Sequence, residues 1–585
     1  FKPIKGLSIS GIVSPFINYQ KKKAFKNSCG YTLPDDPETF GGYFDSGSTW
    51  TTNSLTETRN DDYNVTSQAI ANYMGTFGSH NLTVMAGFEN YYMKSESLGA
   101  ARDKYELTGY PYLNIGSEDF QTNSGTGSEY TSNSVFGRVI YSYADRYLFQ
   151  ANVRHDGSSR FAKGYRWGTF PSFSAGWVAS EEKFMKNLKW DWLSFLKLRG
   201  SWGMLGNERI GSNYFPYIAL MSFGNSLFFM ADGSVVSDKT ARPAVLAVED
   251  ITWETTTSTD LGLDVNFLNN RLQFHFDYYW KETKDMLLNI EIPYFMGYNN
   301  PSTNAGKMST HGYDIEVAWN DQIGDFKYDI NVNFSDFLSK IDYMNDGEQI
   351  SGGKIKRAGV LFNEFYGYVC EGIYQTQEEV NNSARTSTTV TVGDLKYRDI
   401  SGPDGVPDGV ISPEYDRVPL GNSLPRFQYG GSLNASYKGI DFSLAFQGIG
   451  KQNSYLSTSM VQPLRDNYGN VPAILEGKYW SPFNTTEENL AAKYPRLSNV
   501  SKSNNYATSS FWMFNGSYFR LKNITLGYTL PKSWTQKAGI NRARFYVSGS
   551  DLFCLSNFPS GWDPEMGTSD YPITTSLVMG IQVNF

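Results

Sequence analysis

The side chains able to do chemistry are few and scattered. There are four histidines, His80, His155, His275 and His311, and none stands at the spacing of a metal-ligand pair or beside a nucleophile motif. His275 occupies a polar position in an alternating segment and reads as the lining of a wet surface, not as a catalytic base. Three cysteines, Cys29, Cys370 and Cys554, are too far apart and odd in number for a disulfide framework or a metal site. Carboxylates are plentiful, but a glycosidase needs two that face each other, and facing pairs are not readable from one sequence. No catalytic residue and no cofactor is assigned, and the chain is read as a non-enzyme.

One acidic stretch invites a metal reading. DISGPDGVPDGVISPEYD, from Asp399 to Asp416, clusters Asp and Gly in the way that can wrap a hard cation with oxygen ligands. Asp399, Asp404 and Asp408 stand five and four residues apart, not in the alternating EF-hand spacing, so a turn-rich loop is preferred and no metal is assigned. Aromatic clusters offer recognition: Tyr43, Phe44 and Trp50; Trp167 and Phe170; Tyr214, Phe215 and Tyr217; Tyr294, Phe295 and Tyr298. All are placed in long polar loops. Exposed ring faces stack on sugars or grip peptide side chains, and they serve equally to pack the loops themselves.

What must position these groups is a set of paired segments with strict apolar/polar alternation, the period of strands whose two faces meet different surroundings. Leu263, Val265 and Phe267 alternate with Asp264 and Asn266, turn at Asn269-Asn270, and return through Leu272, Phe274, Phe276 and Tyr278 with Gln273, His275 and Asp277 between. The plan recurs at Tyr313–Trp319 with Tyr328–Phe334, where Asn331 and Asn333 hold polar positions, at Leu433–Tyr437 with Ile440–Phe446, and at Val139–Tyr143 with Tyr147–Val153. Asp264, Asn266, His275, Asp277, Asn331 and Asn333 are accordingly expected to line one polar face.

Short turns near 78–80, 144–146, 269–270, 320–327, 438–439 and 530–543 interleave with long loops near 27–62, 90–132, 204–250, 340–426 and 448–516. This parity describes a meander of about sixteen strands with one smooth end and one elaborated end, as in bacterial outer-membrane barrels with short periplasmic turns and long extracellular loops. In 585 residues no run of about 18 apolar residues occurs, which excludes helical membrane spans. A net charge of −8 argues against nucleic acid as a partner. Alternation alone also fits a soluble sandwich or propeller. Two features favour lipid: the apolar face is free of charge over most strands, and the chain stops on a strand, with Leu577, Met579, Ile581, Val583 and terminal Phe585 on one face. Phe585 is read as a barrel-assembly signal. Trp280 and Trp319, at strand ends, are expected at the lipid–water interface. Phe1 follows no charged n-region, apolar h-region or cleavage site, so any export signal is expected upstream.

Several stretches resemble the SusC/RagA family of TonB-linked outer-membrane transporters. They are NVRHDGSSRF from Asn152, FPSFSAGWVASEEKFM from Phe170, LKLRGSWGMLGN from Leu196, DLGLD from Asp260, DYYWKETKDMLL from Asp277, YGYVCEGIYQTQEEV from Tyr366, GDLKYRDISG from Gly393, YWSPFN from Tyr479, SYFRLKNITLGYTLP from Ser517 and DPE at Asp563. They run in the family's order across essentially the whole chain. The Asp399–Asp416 stretch departs by an insertion from the compact Asp- and Gly-rich run common there. The resemblance implies an all-β, transmembrane antiparallel up-and-down β-barrel of about 22 strands in the bacterial outer membrane, of which residues 1–585 are the C-terminal portion. It further implies a plug and a TonB-contacting segment ahead of this region, a SusD-like surface lipoprotein as lid, and an oligosaccharide or peptide ligand. The aromatic clusters are then candidate contacts to substrate or lid. The first and last strands are expected to pair with the rest of the barrel. A passive porin-like channel and a soluble carbohydrate-binding β protein remain the alternatives.

Overall fold

The computed structural model describes every residue except 34, 44–51, 189, 212, 220, 346, 458–460, 465–470, 567–570 and 572. Sixteen strands form one antiparallel meander, each beside its sequence neighbour. In chain order they are β1 (Leu7–Lys26), β2 (Ser54–Phe77), β3 (His80–Asp103), β4 (Gln121–Tyr143), β5 (Tyr147–Ser158), β6 (Trp167–Val178), β7 (Leu193–Asn207) and β8 (Glu254–Phe267). There follow β9 (Leu272–Asn289), β10 (Ser302–Ile323), β11 (Phe326–Met344), β12 (Arg426–Tyr437), β13 (Ile440–Lys451), β14 (Tyr518–Thr529), β15 (Arg542–Ser556) and β16 (Ser576–Asn584). The strand number and the order agree with the alternation. Leu7–Tyr19 pairs with residues 61–73 of β2, and β1 and β16 occupy the two ends of the sheet order.

Strand lengths range from 9 to 24 residues, and the extremes have a physical reason. β5, β6, β12, β13 and β14 have 12 residues each, close to the 9–11 that a tilted strand needs to cross a bilayer. β2 and β3 have 24 each and β4 has 23, roughly 75–80 Å of extended chain at ~3.3 Å per residue. They run far beyond any hydrocarbon layer. Two long loops of the sequence reading are therefore corrected: much of 27–62 and 90–132 is strand. Beyond the lipid band water wets both faces, so Glu57, Arg59, Asn60, Asp61 and Asp62 follow one another without alternation while backbone pairing continues.

The chain divides into two compact units, one of Phe1–Ser174, Gly203–Thr255 and Asp285–Asn304, the other of Ala175–Trp202, Thr256–Lys284 and Ala305–Phe585. In the second, the register carries each face from strand to strand. One row reads Trp319, Ile330, Leu433, Leu444, Ile524, Gly549 and Leu577; the next reads Ala435, Phe442, Leu526, Val547 and Met579. Its side chains stay open to the surroundings: Ile330 is 37% exposed, Leu526 57% and Met579 73%. Phe274 and Phe442 are half-buried, and Val265 is buried. The opposite face, in the same register, reads Asp329, Asn434, Ser443, Thr525 and Ser548. In the first unit Val84, Val139 and Ala151 form the matching apolar row.

The remaining long loops fold into small structures of their own. A hairpin, Met221–Phe229 with Val235–Pro243, stands in the 204–250 region. The 340–426 region holds a sheet of Glu348–Ser351, Lys354–Arg357, Glu364–Tyr368 and Arg417–Asn422, and a second pair, Cys370–Ile373 with Leu395–Tyr397. Asn453–Tyr455 pairs with Met513–Asn515.

Candidate functional site

The polar face is a hydrogen-bonded surface, not a set of isolated groups. Arg199 on β7 bonds bidentately to Asp277 on β9 and donates to Asp264 on β8, with Nε 3.2 Å from each Asp264 oxygen. His275 Nδ1 lies 3.0 Å from Asp264, and Lys197 Nζ lies 3.6 Å away. Asn266 donates to Asn270 at 2.9 Å, Asn331 donates to Glu316 at 2.7 Å, and Asn333 is exposed opposite Gly430. Of the six residues expected on the polar face, Asp264, His275 and Asp277 are brought together around Arg199. The cation that organises three of them, Arg199, was in the LKLRG stretch but had no partner assigned, because cross-strand neighbours are set by register.

One ion pair on the parity of the apolar face is buried. Asp336, 4% exposed, lies opposite Tyr313 on the side of Phe334 and bonds bidentately to Arg426, with the Phe427 ring 6.4 Å from Phe334 beside it. Trp319 lies near the short turn of β10, and its indole N–H donates to the Tyr328 hydroxyl at 3.2 Å. Trp280, eight residues along β9 from Leu272, is exposed beside Tyr278. Both suit an interfacial belt.

The aromatic clusters separate on inspection of their places. Trp167 and Phe170 belong to β6, not to a loop; Gly168 and Pro171 are accommodated within the strand. Trp167 stacks on His155 at 4.7 Å on the face of Val153, while Phe170 meets Trp253 edge-on at 5.3 Å. Tyr214 lies beneath the Arg160 guanidinium at 4.4 Å, and Phe215 and Tyr217 are half-buried. Arg160, 9% exposed, also donates to the carbonyls of Gly211 and Asn213. Next to it Phe161 is fully buried with Ile210 and Ile251. The SSRF corner thus clamps the loop after β7. Phe295 is 88% exposed and Tyr298 half-buried. Phe44 and Trp50 lie outside the described residues, as do the side chains of Tyr43 and Tyr294. Phe585 directly follows β16 and is 86% exposed.

The loops of the second unit form a layer with its own core, which periodicity did not reveal. Tyr368, Leu395, Tyr397 and Ile411 make one buried cluster, and Leu456, Val461, Trp512 and Phe558 another. Asp394, fully buried, accepts from Arg496, Ser501, Asn505 and the Thr391 N–H. Gly393, at φ +89°, lies against Trp480 so closely that a Cβ would come within 2.4 Å of the ring. The GDL and YW stretches therefore pack on each other. Burial pushes the Tyr397 hydroxyl well above its usual value; it donates to the Asn504 carbonyl at 2.6 Å.

In the 399–416 stretch Asp416 is fully buried, and its carboxylate accepts from the N–H groups of Ile400, Ser401 and Ser412 at 2.7, 3.2 and 2.7 Å. Asp399 accepts from Gly409 N–H at 2.7 Å and Asp408 from Val410 N–H at 2.9 Å. Among the described residues no group of three or more His, Cys, Asp or Glu side chains is arranged to hold a metal ion. The carboxylates organise the loop's backbone.

A two-faced meander of this kind has close relatives. The profile of the family described as TonB dependent receptor-like, beta-barrel matches residues 15–548. TonB-dependent receptor P3 of Formosa agariphila is 30% identical over 560 residues, covering 89% of this chain and 52% of that protein. TonB-dependent receptor SusC of Bacteroides thetaiotaomicron is 28% identical over 537 residues, covering 89% of this chain and 50% of that protein. The chain spans about half the length of the curated relatives it matches. The structure of the RagAB peptide transporter superposes on the whole chain and 60% of its own, with a TM-score of 0.80 at 24% identity, which speaks for the fold. With the family profile matching residues 15–548, this all-β outer-membrane chain belongs to the TonB-dependent receptor-like β-barrel family.

Proposed function

We propose that the chain supplies wall and outer loops to an energised importer that brings an oligosaccharide or a peptide across the outer membrane. The observation that carries this reading is the division of the sheet into an exposed apolar face and a hydrogen-bonded polar face held in one register over β10 to β16. The apolar rows suit acyl chains; the polar rows suit a wet passage. The remainder of the barrel and a plug, a TonB contact ahead of this region, and a SusD-like lipoprotein lid over the long loops complete the assembly. The SusC relative and the RagAB likeness support that composition. No bond in the cargo is made or broken.

Uptake of labelled oligosaccharides and peptides into cells with and without the intact protein, each with and without TonB, tests the reading. Import that requires both supports it. Uptake that persists without TonB makes the protein a passive channel, and an intact protein that stays in solution without detergent removes the membrane altogether.

A further inference from the structure

The loop layer of the second unit contains a concavity of about 330 Å³ whose inner wall is the edge of the loop core, at Val461, Tyr494, Phe514 and Trp562. Its lining divides by chemistry. Leu475, 1% exposed, and the rings of Tyr494, Phe514 and Trp562 supply an apolar, aromatic surface. Lys478 and Lys493 join that lining from exposed positions, and Asn557 and Ser560 add an amide and a hydroxyl. Among the described residues neither lysine ammonium has a carboxylate within ion-pair distance. In a chain of net charge −8, two cations side by side on one aromatic concavity make a local positive charge that suits an anionic ligand.

We propose that this concavity is a binding site for an acidic saccharide, a pyranose ring bearing a carboxylate or sulfate group. The volume sits at the low end of small-ligand pockets, which run ~300–1,000 Å³. Aromatic faces take the C–H face of a sugar ring, the amide and hydroxyl take ring hydroxyls, and the two lysines take the acid group. A cationic peptide would meet the lysines' repulsion, and a neutral glucan would leave them uncompensated. The site lies in long loops that interleave with the short turns at 438–439 and 530–541, so it faces the cargo side of the membrane in the import reading, on which this inference rests.

The test uses the full-length receptor purified in detergent, without TonB, and isothermal titration with four probes: tetragalacturonate, a chondroitin sulfate tetrasaccharide, maltotetraose and tetraglutamate. At least one acidic saccharide should bind, should bind at least tenfold tighter than maltotetraose, and should lose at least tenfold in affinity in the Lys478→Gln/Lys493→Gln variant. Trp562→Ala should weaken the same probe while the thermal midpoint of Lys478→Gln/Lys493→Gln stays at the parent value. No binding by either acidic saccharide, affinity indifferent to the lysines, or tetraglutamate binding as tightly as the sugars would each overturn the proposal. Because binding is read without TonB, such a failure leaves TonB-dependent uptake to be judged by its own assay.

Discussion

Arg496 and Asp394, 102 residues apart in sequence, close on each other in the loop layer: the guanidinium Nε donates to Oδ1 at 2.7 Å and Nη2 to Oδ2 at 3.2 Å. Asp394 is fully buried, and Ser501 and Asn505 fill its remaining capacity. Through Asn505, which accepts from Leu395 N–H and whose carbonyl accepts from the Trp512 indole, the pair ties the 391–397 segment to 496–512. Removing one partner strands a buried charge, at a cost of about 3–5 kcal/mol. Arg496→Ala is therefore expected to release the loop layer and leave the strands intact. Hydrogen exchange should show lost protection at Leu395 and at 504–505, with β13 and β14 unchanged; protection retained at Leu395 would show that the layer stands without the pair.

The faces of the sheet make a paired prediction. Val547 lies between Leu526 and Met579 on the apolar face, while Thr525 and Ser548 share a hydrogen bond of 2.7 Å on the other. Val547→Arg should destabilise the intact protein in lipid vesicles by about 2–4 kcal/mol, the cost of a cation near mid-bilayer. Thr525→Arg on the wet face should cost less than half as much. Urea titrations in vesicles read both, and equal costs would mean that the two faces meet the same medium.

Much of the sheet was legible in sequence for the same reason that this pair of variants should differ. Two different surroundings select opposite residue types on the two faces of β8 and β9, so the alternation of Val265, Phe274 and Asp277 with their neighbours declared the strands. The selection disappears where both faces are wetted, which is why Ser54–Asp61 read as loop. It disappears again in the loop layer, where Asp394, Asn504 and Asn505 are buried by mutual hydrogen bonding across more than a hundred residues. A polar residue gives no local sign that it will be buried. The aromatic clusters meet the same limit: Tyr214 was open to cargo contact or to loop packing, and its ring lies under Arg160 from a different corner of the chain.

The cysteines should differ sharply in reactivity. Cys29 is exposed. Burial pushes the Cys370 thiol up to about 11, and its Sγ faces the Gly372 carbonyl at 3.5 Å. The thiolate is the reactive form, so at pH 7 roughly one Cys370 in ten thousand is competent. Iodoacetamide at pH 8 should label Cys29 within minutes and leave Cys370 unmodified in the folded protein. The Cys370 rate should climb as pH rises toward 11, as read by peptide mass spectrometry; equal labelling at pH 8 would mean the Cys370–Ile373 strand is open to solvent.

Asp416 makes the metal question in the acidic stretch testable. Its two oxygens accept three backbone N–H bonds, a set that ties Ile400 and Ser401 to Ser412. A buried acceptor removed leaves those donors unsatisfied, at about 1–3 kcal/mol for the loop. Asp416→Ala should therefore accelerate hydrogen exchange at Ile400, Ser401 and Ser412, whereas EDTA applied to the parent protein should leave the same amides unchanged. Asp416→Asn keeps one accepting oxygen and should fall between the two. Protection that drops on chelation and returns with calcium would instead assign these oxygens to an ion and reverse the preference for a self-contained turn.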